Sequence, residues 1–152
     1  MIKEIESRRS IRRYKDIPVK KELIEEILKA GMLAPSSKNR QPWHFIVTTG
    51  SAKEQVLKAM EAGLKREEKQ PFLPESAPYL DGARATLKIM KEAPVIIFIT
   101  DPLASPMDQP LAIDERVSEI CNAQSMGAAI ENMTLAATEL GLGSLWICNT
   151  FF

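Results

Sequence analysis

Cysteine is nearly missing from this chain: its 152 residues include two, Cys121 and Cys148, far apart and without metal-ligand neighbours. Such a pair builds neither a disulfide framework nor a zinc site, and the scarcity fits a reduced, cytoplasmic setting. Histidine is scarcer still, with His44 alone. Net charge is absent as well, because twenty basic residues balance twenty acidic ones. The overall field therefore gives no reason to expect nucleic acid or a membrane as partner. No uninterrupted apolar run approaches membrane-spanning length, and the N-terminus Met1-Ile2-Lys3-Glu4-Ile5-Glu6 mixes acid and base where a secretory signal carries an apolar core. Internal repeats and low-complexity tracts are also lacking. What remains is a chain long enough to bury a core, expected to form a single domain over residues 1–152.

The apolar pattern divides it. Leu23, Ile24, Ile27 and Leu28 recur at helical spacing through Lys21 to Leu33, predicting an amphipathic helix that stops before Pro35. His44 to Thr49, rich in aromatic and β-branched residues, predicts a strand closed by Gly50. Ser51-Ala52-Lys53-Glu54 has the pattern of a capping box, and the helix it opens is expected to fade near Gly63. Residues 64–80 are charged and proline-punctuated, which reads as a mobile surface excursion able to serve as a lid. Asp81 is expected to cap the next helix, and Pro94 to end it before Val95–Thr100, a continuous apolar run that fits a buried strand at the centre of a sheet. After a proline-rich loop, a long helix from Glu115 to Leu140 carries the stripe Ile120, Ala123, Gly127, Ile130, Met133, Ala137 and Leu140. Its small residues, Ala123, Gly127 and Ala128, allow close helix approach. Gly141 closes it, and Ser144–Cys148 is expected as a third strand.

Two segments carry the chemical signal. Ser7-Arg8-Arg9-Ser10-Ile11-Arg12-Arg13-Tyr14 packs four arginines and two serines into eight residues. Such forked, charge-assisted donors suit a phosphate, although a run of this kind also serves as a solvated basic turn. One helix-length later, Ala34-Pro35-Ser36-Ser37-Lys38-Asn39-Arg40-Gln41-Pro42-Trp43 forms a stiff polar loop. Its donors and acceptors could meet the edge of a planar heterocycle, or simply end a helix. Trp43 reads as a packing anchor. His44 has no candidate carboxylate in sequence to orient it, so it is not taken as a general base.

These segments, in this order and followed by Leu140-Gly141-Leu142-Gly143-Ser144-Leu145-Trp146-Ile147, resemble the flavin-dependent nitroreductase family over nearly the whole chain. The resemblance implies an α+β fold, with a mixed, mainly antiparallel central sheet wrapped by helices, assembled as an intertwined homodimer with FMN sites at the interface. It implies that Arg8 and Ser10 hold the FMN phosphate, that Arg9 lies beside them, and that Arg12 reaches the ribityl chain or the pyrimidine edge. Pro35, Ser36, Ser37, Asn39 and Gln41 would contact the isoalloxazine, commonly that of the neighbouring subunit. Lys88 would sit near flavin N1 and O2, where a cation stabilises the negative charge that reduction brings, unless it is an ordinary exposed helix lysine. A backbone N–H near Ile147, Cys148 or Asn149 would point at N5 or O4.

Departures from the family pattern are also legible. Ala85 stands where some relatives carry an asparagine, and Cys148 where some carry a glutamate; Cys148 itself lacks a partner base and reads as an inert core cysteine. The family pattern continues past the third strand with a segment that supplies a late basic residue, whereas this sequence stops at Phe151-Phe152, so that extension is expected to be absent from it, either because the protein is short or because the sequence is part of a longer one. The implied function is ping-pong hydride transfer from NADH or NADPH through flavin N5 to a small electron-poor acceptor such as a nitroaromatic, a quinone or another flavin. No catalytic side chain and no metal are implied. A flavin-binding carrier without turnover, and a phosphate-binding module without flavin, are the alternatives.

Overall fold

Apolar residues at helical spacing and two β-branched runs set the elements. The computed structural model describes residues 1–148, so Asn149, Phe151 and Phe152, named above, lie outside the described residues. The elements run α1 (Lys3–Ser7), α2 (Lys21–Met32), β1 (His44–Thr48), α3 (Gly50–Lys69), α4 (Leu80–Glu92), β2 (Ile96–Thr100) and α5 (Ile113–Glu139). β1 and β2 pair as a two-stranded sheet. The Thr48 hydroxyl donates to the Ile96 carbonyl at 3.1 Å, which sets the end of β1 beside the start of β2, as antiparallel strands require. The α+β expectation holds.

The described residues divide into two compact units. The first holds α1, α2, the 35–41 loop, most of β1 and β2, and α5. Its core is Ile27 of α2 with Met133 and Ala137 of α5, packed by Phe45, Ile97, Ile99, Leu140 and Leu142. The second comprises residues 11–19 and 47–96 together with the segment from Leu145. There α3 and α4 pack through Leu57 and Leu64 on one side and Leu80, Leu87 and Met90 on the other, all buried, while Arg84 pairs with Glu68 and with Asp81.

Several sequence expectations need correction. Ser51 does not cap α3, whose N-cap is Thr49 without a side-chain bond. Asp81 lies in the first turn of α4 and makes no cap bond either; Tyr79 holds that position. The reciprocal pattern appears by halves at α5, where the Glu115 carboxylate accepts the Ala112 N–H at 2.8 Å while Ala112 has no side-chain acceptor to return. Ser144–Cys148 does not form a strand. Among the described residues a single parallel bridge joins Ser144 to Ser10, and one bridge is not a ladder. Nor is β2 a buried centre: Ile96 to Ile99 are half-buried, since among the described residues the sheet has only two strands.

The helices α3 and α5 also differ from their expected course. α3 continues past Gly63 to Lys69 because Leu64 and Glu67 keep its inner face buried. Beyond it, the Glu67 carboxylate accepts the N–H groups of Phe72 at 2.9 Å and Leu73 at 3.0 Å, which closes the turn after the helix. The Ser76 hydroxyl, buried and without a partner in hydrogen-bond geometry, still lies close enough to polarise the carboxylate. Ser76 and the Phe72 amide, with the Leu73 amide, lower the Glu67 pKa from the ordinary carboxylate value, and burial opposes them. Along α5, the buried stripe runs Asn122, Ser125, Ala129, Met133 and Ala137. It shares Met133 and Ala137 with the expected stripe, but Ile120 is 50 % exposed and Ala123 is exposed. α5 ends as foreseen: Gly141 adopts φ 74°, its N–H bonds Thr138 and the Leu142 N–H bonds Ala137 at 2.8 Å, the paired bonds of a Schellman motif.

Candidate flavin-binding site

The arginine cluster begins where α1 stops. The Arg8 amide closes the helix by donating to Glu4 at 2.8 Å, and the chain then runs extended, so successive side chains diverge. Arg8 is 34 % exposed at its side chain, and its Nε lies 3.7 Å from a Glu131 carboxylate oxygen on α5. That separation is an ion pair rather than a hydrogen bond. Glu131 is itself steadied by the Thr134 hydroxyl at 3.0 Å. The terminal nitrogens of Arg8 carry no hydrogen bond among the described residues. Arg9 is placed differently: one Nη folds back onto the carbonyls of Glu6 and Arg8, each at 2.8 Å, and so finishes the C-terminus of α1. Ser10 is exposed at the bridge to Ser144.

Loop 35–41 is held in an unusual backbone state. Lys38, Asn39 and Gln41 have φ of 52°, 53° and 49°, and among the described residues they are the only non-glycine positions with positive φ. The Arg40 N–H donates to the Ser37 carbonyl at 3.1 Å across Lys38 and Asn39, the arrangement of a type I′ turn, whose two central residues are left-handed. Asparagine tolerates this state; lysine and glutamine do so at roughly 1 kcal/mol or more each. The loop partly holds itself: the Gln41 N–H donates to the Ser36 hydroxyl oxygen at 3.0 Å, and the Gln41 amide to Asn39 Oδ1 at 3.4 Å. Its ends are fixed by the buried residues Ala34 and Pro42. Trp43 stacks on Phe45 with centroids 6.4 Å apart, the packing role expected of it. His44 is exposed.

Among the described residues one hydrogen bond ties the loop's middle to the rest of the unit. The Ser37 N–H donates to the Ser125 hydroxyl oxygen at 3.1 Å, and that hydroxyl donates to the Cys121 carbonyl at 2.7 Å. Ser125 is 5 % exposed. Nothing in the sequence singled it out, because a serine inside a helix reads as neutral; its placement one helical step from Asn122 on the buried stripe was the available signal. The Asn39 amide N–H groups and the Ser37 hydroxyl have no protein partner among the described residues. α5 thus carries both halves of the candidate site within this unit, Glu131 beside Arg8 and Ser125 beside Ser37. The two anchor points, Ser125 and Glu131, are roughly 120° apart around the helix and about 9 Å apart along it.

The remaining candidates belong to the second unit. Arg12 is exposed, and its charge acts on Tyr14, whose hydroxyl donates to the Ile11 carbonyl at 2.9 Å. Burial raises the Tyr14 pKa and the Arg12 cation partly offsets this. Lys88 is exposed on α4, opposite the buried pair Leu87 and Met90, and makes no hydrogen bond or ion pair among the described residues. Ala85 on the same helix is exposed. Ile147 is half-buried, and Cys148, expected in the core, is instead an exposed free thiol because no strand forms there to carry it inward. The described residues contain no cluster of histidine, cysteine and carboxylate side chains able to hold a metal, and no helix among them is long and apolar enough to cross a membrane.

Comparison with known proteins bears on this geometry. An Archaeoglobus fulgidus protein provisionally named NADH dehydrogenase/NAD(P)H nitroreductase is 35 % identical over 146 residues, which cover 96 % of this chain and 66 % of the relative. A Methanothermobacter thermautotrophicus protein of the same provisional name is 33 % identical, over 96 % of this chain and 59 % of its own length. The chain thus spans about two thirds or less of these relatives. Among solved structures, a Desulfovibrio desulfuricans protein provisionally described as a nitroreductase in complex with FMN superposes with a TM-score of 0.68 at 31 % identity, covering 98 % of this chain and 68 % of that one. The sequence model of the nitroreductase family matches residues 5–152, and with that match over nearly its whole length the chain belongs to the nitroreductase family.

Proposed function

We propose that this chain binds FMN and works as an NAD(P)H-dependent oxidoreductase. The observation that carries the reading is Arg8, partly buried, paired with Glu131 at 3.7 Å yet with its forked terminal nitrogens uncommitted among the described residues, two residues from Ser10. Such forked cationic donors beside a serine suit a phosphate. The donor chemistry of loop 35–41 fits the ring end of such a ligand, that of a partner copy, since the Ser37 hydroxyl and the Asn39 amide present hydrogen-bonding groups from a preset backbone. Pro35 and the self-bonded Ser36 and Gln41 keep them there. Arg9 supports the cluster from α1, and Arg12 adds a second cation along the chain.

Bound FMN would supply the redox chemistry, accepting hydride at N5 from NADH or NADPH and passing it to an electron-poor small molecule such as a nitroaromatic, a quinone or another flavin. The protein's part is to bind, orient and adjust charge. By the family resemblance Lys88 would supply a cation to the ring on reduction, and the backbone at Ile147 and Cys148 would supply N–H groups without a side-chain requirement.

The site is read as shared by two copies of the chain. The cluster and the loop hang from α5 on sides roughly 120° apart, which favours each of them serving a different flavin. Ile113, Val117 and Ile120, exposed at spacing i, i+4, i+7 on α5, supply an apolar strip for a partner copy. A cytoplasmic location is part of the same proposal. The test is an absorption spectrum of the purified chain followed by NADH and NADPH oxidation assays with a nitroaromatic or a quinone. A flavin spectrum with acceptor-dependent oxidation is the expected result; bound flavin without oxidation points to a carrier, and no flavin overturns the reading.

A further inference from the structure

We propose that Ser125 of α5 is a positioning residue that keeps loop 35–41 in its left-handed, ligand-ready state; this rests on the FMN reading above. Two observations meet here. Lys38, Asn39 and Gln41 hold positive φ together, a state that persists only where surrounding bonds over-determine it. Among the described residues the single hydrogen bond from residues 35–41 to another element is Ser37 N–H to Ser125 Oγ, at 3.1 Å across 88 positions of sequence. The other bonds of the loop are internal to it.

The Ser125 hydroxyl is suited to the task because its own proton is committed. Donating to the Cys121 carbonyl at 2.7 Å fixes the Oγ lone pairs toward Ser37. Burial at 5 % exposure removes water as an alternative acceptor. The neighbouring Asn122, also buried, donates to the Asp101 carboxylate at 2.8 Å and so fixes this turn of α5 against the start of the 101–112 loop. A rigid helix thereby sets the height of Ser37, the Ser37 carbonyl sets the turn through Arg40, and the turn sets the Asn39 amide. Ser125 acts through the backbone of the loop, at the Ser37 N–H.

Ser125→Ala removes the acceptor without adding bulk. The expected result is FMN affinity weakened about fivefold to tenfold, the scale of one lost net hydrogen bond. Faster amide hydrogen exchange confined to residues 36–41 should accompany it, with α5 still protected. Adding Lys38→Gly, which relieves the left-handed strain without the brace, should recover most of the lost affinity; a residue that merely stabilises the fold would not be rescued by a loop glycine. If the parent chain binds FMN and Ser125→Ala binds it equally well, or Lys38→Gly recovers nothing, the proposal is overturned. If the parent chain binds no FMN, the FMN reading fails separately, and exchange alone decides: unchanged protection at 36–41 in Ser125→Ala overturns the brace and loosening supports it.

Discussion

Gly31 of α2 faces Met133 of α5 so closely that a Cβ at position 31 would lie 2.9 Å from both Cγ and Sδ of Met133, and 3.0 Å from the Phe45 ring. The approach is possible because residue 31 has no side chain, and it seals the core around Ile27, Met133 and Ala137. Gly31→Ala improves helix propensity by up to about 1 kcal/mol but overpacks a buried contact, which costs typically 1–3 kcal/mol. The expected net is destabilisation of about 1 kcal/mol, read as a lower urea midpoint at unchanged slope. A stabilised variant would mean that Met133 swings aside freely and the contact is loose.

Glu67 is expected to make the 70–76 turn acid-sensitive. Its folded pKa is lowered, by Ser76 and the Phe72 amide first, from an ordinary value of 4.5. Its contribution is therefore complete above about 4.5 and is lost as pH falls through the lower folded value. Glu67→Gln replaces one acceptor oxygen by an NH2 group that cannot receive the Phe72 or Leu73 N–H. Limited proteolysis should cut the variant faster between residues 70 and 76 at neutral pH, while the parent chain becomes equally sensitive only in acid. Identical cleavage of both at neutral pH would show that the carboxylate does not hold the turn.

Lys88→Met keeps the length of an exposed side chain on α4 and removes its charge. The expected outcome is a more negative flavin midpoint potential with FMN affinity changed much less, measured by dye-linked reductive titration. An unchanged potential returns Lys88 to the solvated surface.

How far the sequence could be read depended on what each segment signals. α2 was legible to within a residue because its apolar positions are all aliphatic and Pro35 follows. The end of α3 was not, because Glu67 is a charged residue that goes inside; Ser76 and the N–H groups of Phe72 and Leu73, all in the segment that follows the helix, make that burial tolerable. On α5 the same inversion shifted the stripe, since Asn122 and Ser125 are buried by their bonds to Asp101, Cys121 and Ser37 while Ile120 faces outward. At the site, the residue types in the arginine cluster and the polar loop were visible as motifs. The left-handed backbone of Lys38, Asn39 and Gln41 was not, because lysine and glutamine give no local signal for positive φ. Ser144–Cys148 read as a strand from its apolar residues, yet strands need partners, and among the described residues the bridge to Ser10 is the pairing present.

If the site is shared, assembly and ligand binding are linked. Val117→Glu sets a charge in the exposed strip between Ile113 and Ile120, and should lower dimer content and FMN occupancy together, with added FMN partly restoring the dimer. Sedimentation across a dilution series, followed at a flavin wavelength, checks this. A monomer that keeps stoichiometric FMN would confine the site to one chain.

The central claim is that Arg8 and Ser10 read a phosphate on a flavin. Titration of flavin-free chain with FMN and with riboflavin, each in the parent and in Arg8→Ala, tests it most directly. The account predicts tighter binding of FMN than of riboflavin in the parent, and a loss of about 1.5–3 kcal/mol for FMN in Arg8→Ala with riboflavin nearly unaffected, the scale of a charge-assisted hydrogen bond. Equal affinities for the two ligands in the parent, or equal losses in the variant, would contradict it.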